Sequence, residues 1–123
     1  MANQEQLFNS NYVVYDTATL KEVMEAITYN HRGCVVVVDQ HGHVIGVASD
    51  GDIRRAMVKG ATILTPVDKV MNTDFLAVNQ NDRDILKDPE GFFAKNANKQ
   101  VIPVVGPSNK LVDVLVRGGF YKG

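Results

Sequence analysis

One cysteine, Cys34, and no tryptophan stand among the 123 residues of this chain. A single thiol cannot build a disulfide framework, so the fold has to be held by its core. Long apolar runs are missing as well. The longest, Cys34 to Val38, is far too short to span a bilayer. Met1 to Asn11 has neither a basic start nor an apolar signal core, which points away from export and toward a cytoplasmic location. No charge of one sign is in excess: 13 Lys+Arg face 14 Asp+Glu, for a net charge of −1. A protein that holds nucleic acid by neutralising phosphates is ordinarily basic, so neither nucleic acid nor a membrane is an expected partner. Glycine-rich phosphate loops are absent. No pair of carboxylates is placed for acid–base work, since Asp50 and Asp52 would diverge around a helix. His41 and His43 lie in a polar loop, and they form no metal-ligand set with His31 and Cys34. No enzyme activity, metal or required cofactor is expected.

What is present is the pattern of a globular protein, 45% hydrophobic and 22% charged. Residues 1–11 are polar apart from Leu7 and Phe8 and read as a tail. Tyr12 to Tyr15 reads as a short strand. Thr19-Leu20-Lys21-Glu22 is a capping box, and Leu20, Val23, Met24 and Ile27 then mark one face of a helix ending near Asn30 to Gly33. The β-branched run Val35 to Val38 reads as a buried strand, Gln40 to His43 as a hairpin loop, and Val44 to Ala48 as the returning strand. Ser49 to Asp52 starts a helix whose inner face carries Ile53, Ala56 and Met57. Thr65-Pro66-Val67-Asp68 opens another short one with proline in its first turn.

The pattern then repeats. Phe75 to Val78 resembles Tyr12 to Tyr15 at an offset of 63 residues, and Val101 to Val105 with Leu111 to Leu115 resembles the first hairpin at 67. Four extra residues are thus expected around Asp84 to Glu90, with the second helix starting late, near Pro89, and burying Phe92 and Phe93. Each copy reads strand, helix, strand, strand, and the first adds a closing helix for which Gly118 to Gly123 leaves no room in the second. Units this small bury too little surface alone, so two stacked sheet to sheet are expected.

Chemistry concentrates in Gly46-Val47-Ala48-Ser49-Asp50-Gly51-Asp52, where a strand ends and a helix begins. Free backbone N–H groups at a helix start suit a phosphate, Ser49 adds a hydroxyl, and the Asp52 carboxylate can accept both hydroxyls of a ribose. Gly46 and Gly51 would let a ligand approach the backbone. The same Ser-x-x-Asp spacing is also that of a capping box with no ligand at all. Arg54 or Arg55 could reach a phosphate, or either could pair with a carboxylate such as Asp50. Cys34 reads as an inert core thiol.

Over Tyr12 to Arg117, the repeat, the Gly-x-x-Ser-x-x-Asp spacing and Ile102-Pro103-Val104-Val105 resemble a tandem pair of cystathionine-β-synthase (CBS) domains, a Bateman module. Ser49 to Met57, with Lys59-Gly60 and Pro66 to Asn72, is most similar to CBS pairs attached to sugar-phosphate nucleotidyltransferases, and similar too to those of arabinose-5-phosphate isomerases. The resemblance implies an α/β (α+β) fold of tandem strand-helix-strand-strand-helix repeats, with 12–71 and 72–123 as the two motifs of one domain. It implies a regulatory module that binds an adenosyl nucleotide (AMP, ADP, ATP or S-adenosylmethionine) between its units, controls an attached or partner enzyme, and forms a homodimer. By position, Asp52 would hold the ribose, Ser49 and the Gly51 backbone would face the phosphate, Val47 and Val35 would line the base pocket, and Thr17 would add a polar contact. In the second copy Asp113, Val116 and Gly119 replace Gly46, Ser49 and Asp52, so one occupied site per chain is expected. The competing reading is a ligand-free structural dimerisation module.

Overall fold

The computed structural model describes residues 3–118. Helix α1 (Gln4–Phe8) comes first. Strand β1 (Val13–Tyr15) runs parallel to β2 (Cys34–Val38), and β3 (Val44–Ser49) returns antiparallel beside β2. Helix α2 (Leu20–Asn30) joins β1 to β2, and α3 (Asp50–Val58) follows β3. The second sheet repeats this order with β4 (Val78–Asn79), β5 (Val101–Val105) and β6 (Leu111–Val116), and helices α4 (Arg83–Lys87) and α5 (Pro89–Lys95) fill its β4–β5 connection. The fold is the expected mixed α/β tandem repeat. The absence of a closing helix in the second copy concerns residues 119–123, which lie outside the described residues.

Alternation along the central strands builds three apolar clusters between the layers. On β2, Val35 and Val37 face outward and pack with Leu20, Val23, Ile27 and Ile53 of α2 and α3. Val36 and Val38 face inward and meet Val101, Val105, Leu111, Val114 and Val116 of the second sheet. Outside that sheet, Phe93 of α5 packs on Val78 and Ile102. The two units therefore share one core between sheets. The capping box of α2 forms as read: Glu22 N–H donates to Thr19 Oγ1 at 3.3 Å and Thr19 N–H to Glu22 Oε1 at 2.9 Å.

Three sequence readings need correction. Within the segment 1–11 read as a tail, the described residues 3–11 are packed on the fold, because Leu7 is wholly buried in the inter-sheet core and Gln4 Nε2 donates to Val112 O at 3.2 Å. A five-residue helix carries no periodic signature, and tertiary burial holds it together with the Asn3 cap, whose Oδ1 accepts from Gln6 N–H at 3.3 Å. The first-strand offset is 64 rather than 63, since Val14 pairs with Val37 and Val78 with Val104. A slip of one would turn each residue to the opposite face, so three extra residues, not four, separate the copies. A helix does start at Pro89, as expected, but a further short helix, α4, precedes it. Asp88, at φ −138° ahead of Pro89, caps α5 through Gly91 N–H at 3.2 Å and ends α4. A smaller difference is at Pro66, which precedes a 3-10 turn, Val67–Lys69, instead of lying inside a helix. The repeat is otherwise kept closely: the pairing skips between Val37 and Val38 and again between Val104 and Val105, 67 residues on.

If α1 is part of the core, Leu7→Ala should lower the unfolding free energy by about 3 kcal/mol, the usual cost of emptying a buried leucine site. Urea denaturation followed by circular dichroism measures this, and a loss below about 0.5 kcal/mol would restore the tail reading.

Candidate functional site

Ser49 is the last residue of β3, paired with Cys34 at the start of β2, and its extended backbone (φ −110°, ψ 165°) turns the chain into α3. Its hydroxyl accepts from Asp52 N–H at 3.2 Å. Asp52 Oδ2 accepts in return from Ser49 N–H at 3.0 Å and from Ser49 Oγ at 2.9 Å. Asp52 Oδ1 takes Arg55 Nη2 at 2.8 Å. The capping box is therefore complete, and both carboxylate oxygens are engaged. Arg55, not Arg54, makes the carboxylate pair, and its partner is Asp52 rather than Asp50. Its guanidinium also covers Gly51, where a Cβ would lie 3.1 Å from Nη1. Arg55 is 69% exposed, so this ion pair is weak, and a competing hydrogen-bond donor could replace it readily.

The six sequence-chosen residues do not all meet. Ser49, Gly51 and Asp52 come together at the start of α3, with half-buried Val47 two residues back on β3. The Val47 backbone is paired with Asn72 in both directions, at 3.0 and 2.7 Å. Val35 is not a lining residue: it is fully buried under α2 and α3, on the face of β2 turned away from the second sheet. Thr17 lies at the wrong end. It follows Tyr15, which pairs with Val38, whereas Ser49 pairs with Cys34. Four strand residues put about 13 Å between those levels. Gly46 serves packing and not ligand approach, since a Cβ there would meet Met71 Sδ at 2.7 Å.

A turn the sequence reading passed over stands beside this site. The turn between α2 and β2 is docked on the start of α3 by Asp50 N–H to Gly33 O at 2.9 Å. Arg32 in that turn has its Nε buried without a hydrogen-bond partner. Asn30, itself buried, fixes the turn: its Nδ2 donates to Asn11 O at 2.8 Å and Cys34 O at 3.0 Å, and its Oδ1 accepts from Arg32 N–H at 2.7 Å. The available signal was the strand register, which sets whatever precedes Cys34 beside whatever follows Ser49. Burial pushes the Cys34 thiol up to about 11, against the opposing pull of the Val101 backbone N–H and of Lys99 from the second unit. The charges of Asp50 and Asp52 push it in the same direction as burial.

The second unit carries no copy of this arrangement among the described residues. Val116, at the position of Ser49, is buried. Arg117, at the position of Asp50, keeps the same backbone bond, N–H to Gln100 O at 2.9 Å, but inverts the charge. Its guanidinium donates to Phe93 O, Asn96 O and Lys99 O at 2.8–2.9 Å and lies 4.9 Å from the Phe93 ring centroid. It closes the end of α5. Gly119, which stands at the position of Asp52, lies outside the described residues. Among the described residues no three His, Cys, Asp or Glu side chains could hold a metal, and no helix is long and apolar enough to cross a membrane.

Comparison with known proteins gives the same outline. Residues 5–59 match the family model of the CBS domain. Arabinose 5-phosphate isomerase GutQ of Shigella flexneri is 31% identical over 106 residues, 86% of this chain and 32% of its own length. The chain spans about a third of the length of the curated relatives it matches. The CBS domain protein PAE2072 from Pyrobaculum aerophilum, solved with AMP, superposes with a TM-score of 0.66 at 23% identity, covering 94% of this chain and 87% of that one. CBSX2, also solved with AMP, gives 0.70 at 21% identity, covering 96% and 87%.

A thiol ionising near 11 instead of its ordinary 9 holds about a hundredth of the thiolate at pH 8. Alkylation of Cys34 in the folded chain should therefore run at least about a hundredfold slower than in urea-unfolded chain, and should quicken as pH rises toward 11. Equal rates at pH 8, read by mass spectrometry, would contradict the burial described.

Proposed function

We propose, from the match of residues 5–59 to the CBS domain, that the chain is a regulatory module that senses an adenosyl nucleotide through one site, at the start of α3. The observation that carries this reading is the meeting of Ser49, Gly51 and Asp52 at the start of α3, with the turn that carries Arg32 docked on it through Asp50 N–H to Gly33 O. Helix-start N–H groups and a buried guanidinium nitrogen suit a phosphate. Asp52 exchanges the exposed Arg55 for the two ribose hydroxyls, Val47 flanks the base, and Lys99 adds a second cation from the other unit. The AMP-bound likenesses support an adenine nucleotide; among the ligands weighed are AMP, ADP, ATP and S-adenosylmethionine. Val116 and Arg117 support a stoichiometry of one.

The controlled enzyme, attached or separate, handles a sugar phosphate. The isomerase relatives favour that class over the nucleotidyltransferase first suggested by the sequence. A second reading, a ligand-free dimerisation module, draws on Val58, Leu64 and Tyr29, exposed by 83%, 73% and 70%. Sedimentation as a monomer at high concentration would remove it. The two readings are compatible.

Asp52→Glu separates ligand binding from helix capping, because Ser-x-x-Glu is an equally good capping box while the longer side chain displaces the carboxylate. Wild-type chain should gain about 2.7 kcal/mol of stability at a hundred times the dissociation constant of its nucleotide. Asp52→Glu should keep ligand-free stability within about 0.5 kcal/mol and lose most of that gain. A thermal-shift panel of the four ligands measures both, and no shift with any of them overturns the reading.

A further inference from the structure

Asn30 is the one buried polar residue among the described residues, 6% exposed. A buried amide is unfavourable unless its hydrogen bonds are made, and here they are. Nδ2 donates to Asn11 O and Cys34 O, and Oδ1 accepts from Arg32 N–H. Asn11 stands before β1, Cys34 opens β2, and Arg32 lies in the turn between α2 and β2. One side chain thus ties the end of α2 to the starts of two strands. It also holds a turn with left-handed residues at His31 (φ 58°) and Gly33 (φ 76°).

The start of α3 is seated on that turn at two points. Gly33 O accepts Asp50 N–H at 2.9 Å, and Cys34 pairs with Ser49. Ser49 is the cap of α3 and Asp50 its first residue.

The second unit fastens the equivalent turn from the opposite side. Ala97 stands 67 residues after Asn30 and can make none of its side-chain bonds. The backbone bond is kept, from Arg117 N–H to Gln100 O. The fastening comes instead from the Arg117 guanidinium, which donates to Phe93 O, Asn96 O and Lys99 O. The residue after the third strand is consumed in holding the turn. In the first unit Asn30 does that work from the helix side. Asp50, at the position of Arg117, carries no side-chain hydrogen bond or ion pair among the described residues.

We propose that Asn30 is a positioning residue for the candidate nucleotide site. It acts through the turn and not on the ligand. By fixing the seat of α3 from behind, it holds Ser49, Gly51 and Asp52 in place and leaves their helix start uncovered. The fastening stands on the ligand-free geometry. Its bearing on a nucleotide rests on the function proposed above.

Amide exchange and AMP titration of the full chain test this. Asn30→Ala removes all three side-chain bonds. Exchange of Asp50 N–H should quicken at least about tenfold relative to Arg117 N–H, its counterpart in the second unit. A general loss of stability quickens both amides alike, and Leu7→Ala, which leaves the turn intact, supplies that control. In calorimetric titration, with both variants folded, AMP affinity should fall at least about tenfold in Asn30→Ala and stay within about threefold of wild type in Leu7→Ala. Gly33→Ala reaches the same turn without emptying a buried site, because its Cβ would lie 3.7 Å from Asp50 Oδ2 while the backbone is strained at φ +76°. It should shift the exchange ratio and the AMP affinity in the same directions by about threefold or more, and it decides the matter if Asn30→Ala fails to fold. The proposal is overturned if Asp50 and Arg117 N–H quicken equally in these turn variants, or if they bind AMP as well as Leu7→Ala does. If wild-type chain takes up no AMP, ADP, ATP or S-adenosylmethionine, the nucleotide reading fails, and the exchange ratio alone decides whether Asn30 fastens the seat of α3.

Discussion

Burial of β2 on both faces is the constraint from which the other elements take their places. Val35 to Val38 are wholly excluded from solvent, two on the helical side and two between the sheets. A strand so placed must have a partner strand on each edge and a layer on each face. β1 and β3 supply the edges, α2 and α3 one face, and the second sheet the other. A half-chain has too little surface to close both faces itself, so the second repeat acts as the missing wall of the first. The position of the site follows. Antiparallel pairing sets Ser49 opposite Cys34, which fixes the start of α3 at one end of the shared core, next to the turn that carries Arg32.

The same atoms that begin α3 are those offered to a ligand. The Ser49–Asp52 box is complete without one, which explains why spacing alone left two readings open. Their difference lies in what else stands nearby. The turn docked on this helix start carries Arg32, whose Nε is buried without a partner, and burying such a group is unfavourable. Exchange of the exposed Arg55 for a diol changes the energy little, since exposed pairs of this spacing contribute about 0.3–0.5 kcal/mol. Ligand affinity is then set by the phosphate contacts and by how the second unit meets them.

Much of this was legible in the sequence, and the exceptions share a cause. The capping boxes at Thr19 and Ser49, the hairpins and the sheet-on-sheet repeat are written in local spacing. Leu7, Arg32 and the roles of Val35 and Thr17 are written in tertiary register. A run of four valines hides which two face inward, because alternation is invisible when every position is apolar. Leu7 lies in a polar stretch and gains its place only from the core it fills. The 63-residue offset sets Phe75 against Tyr12, while the pairing Val78↔Val104 answers to the faces of the sheet. Arg32 was overlooked as part of a helix end, although the register that positions it was already implied by the hairpin.

The asymmetry between the repeats gives the module a direction. At equivalent positions Asp50 leaves its end of the sheet open, while Arg117 spends its guanidinium on three carbonyl groups and seals the end of α5. Among the described residues the first unit alone keeps a hydroxyl and a carboxylate at that helix start. A ligand held there can bias the packing of the two units only by its differential affinity for alternative arrangements, commonly about 1–3 kcal/mol of coupling.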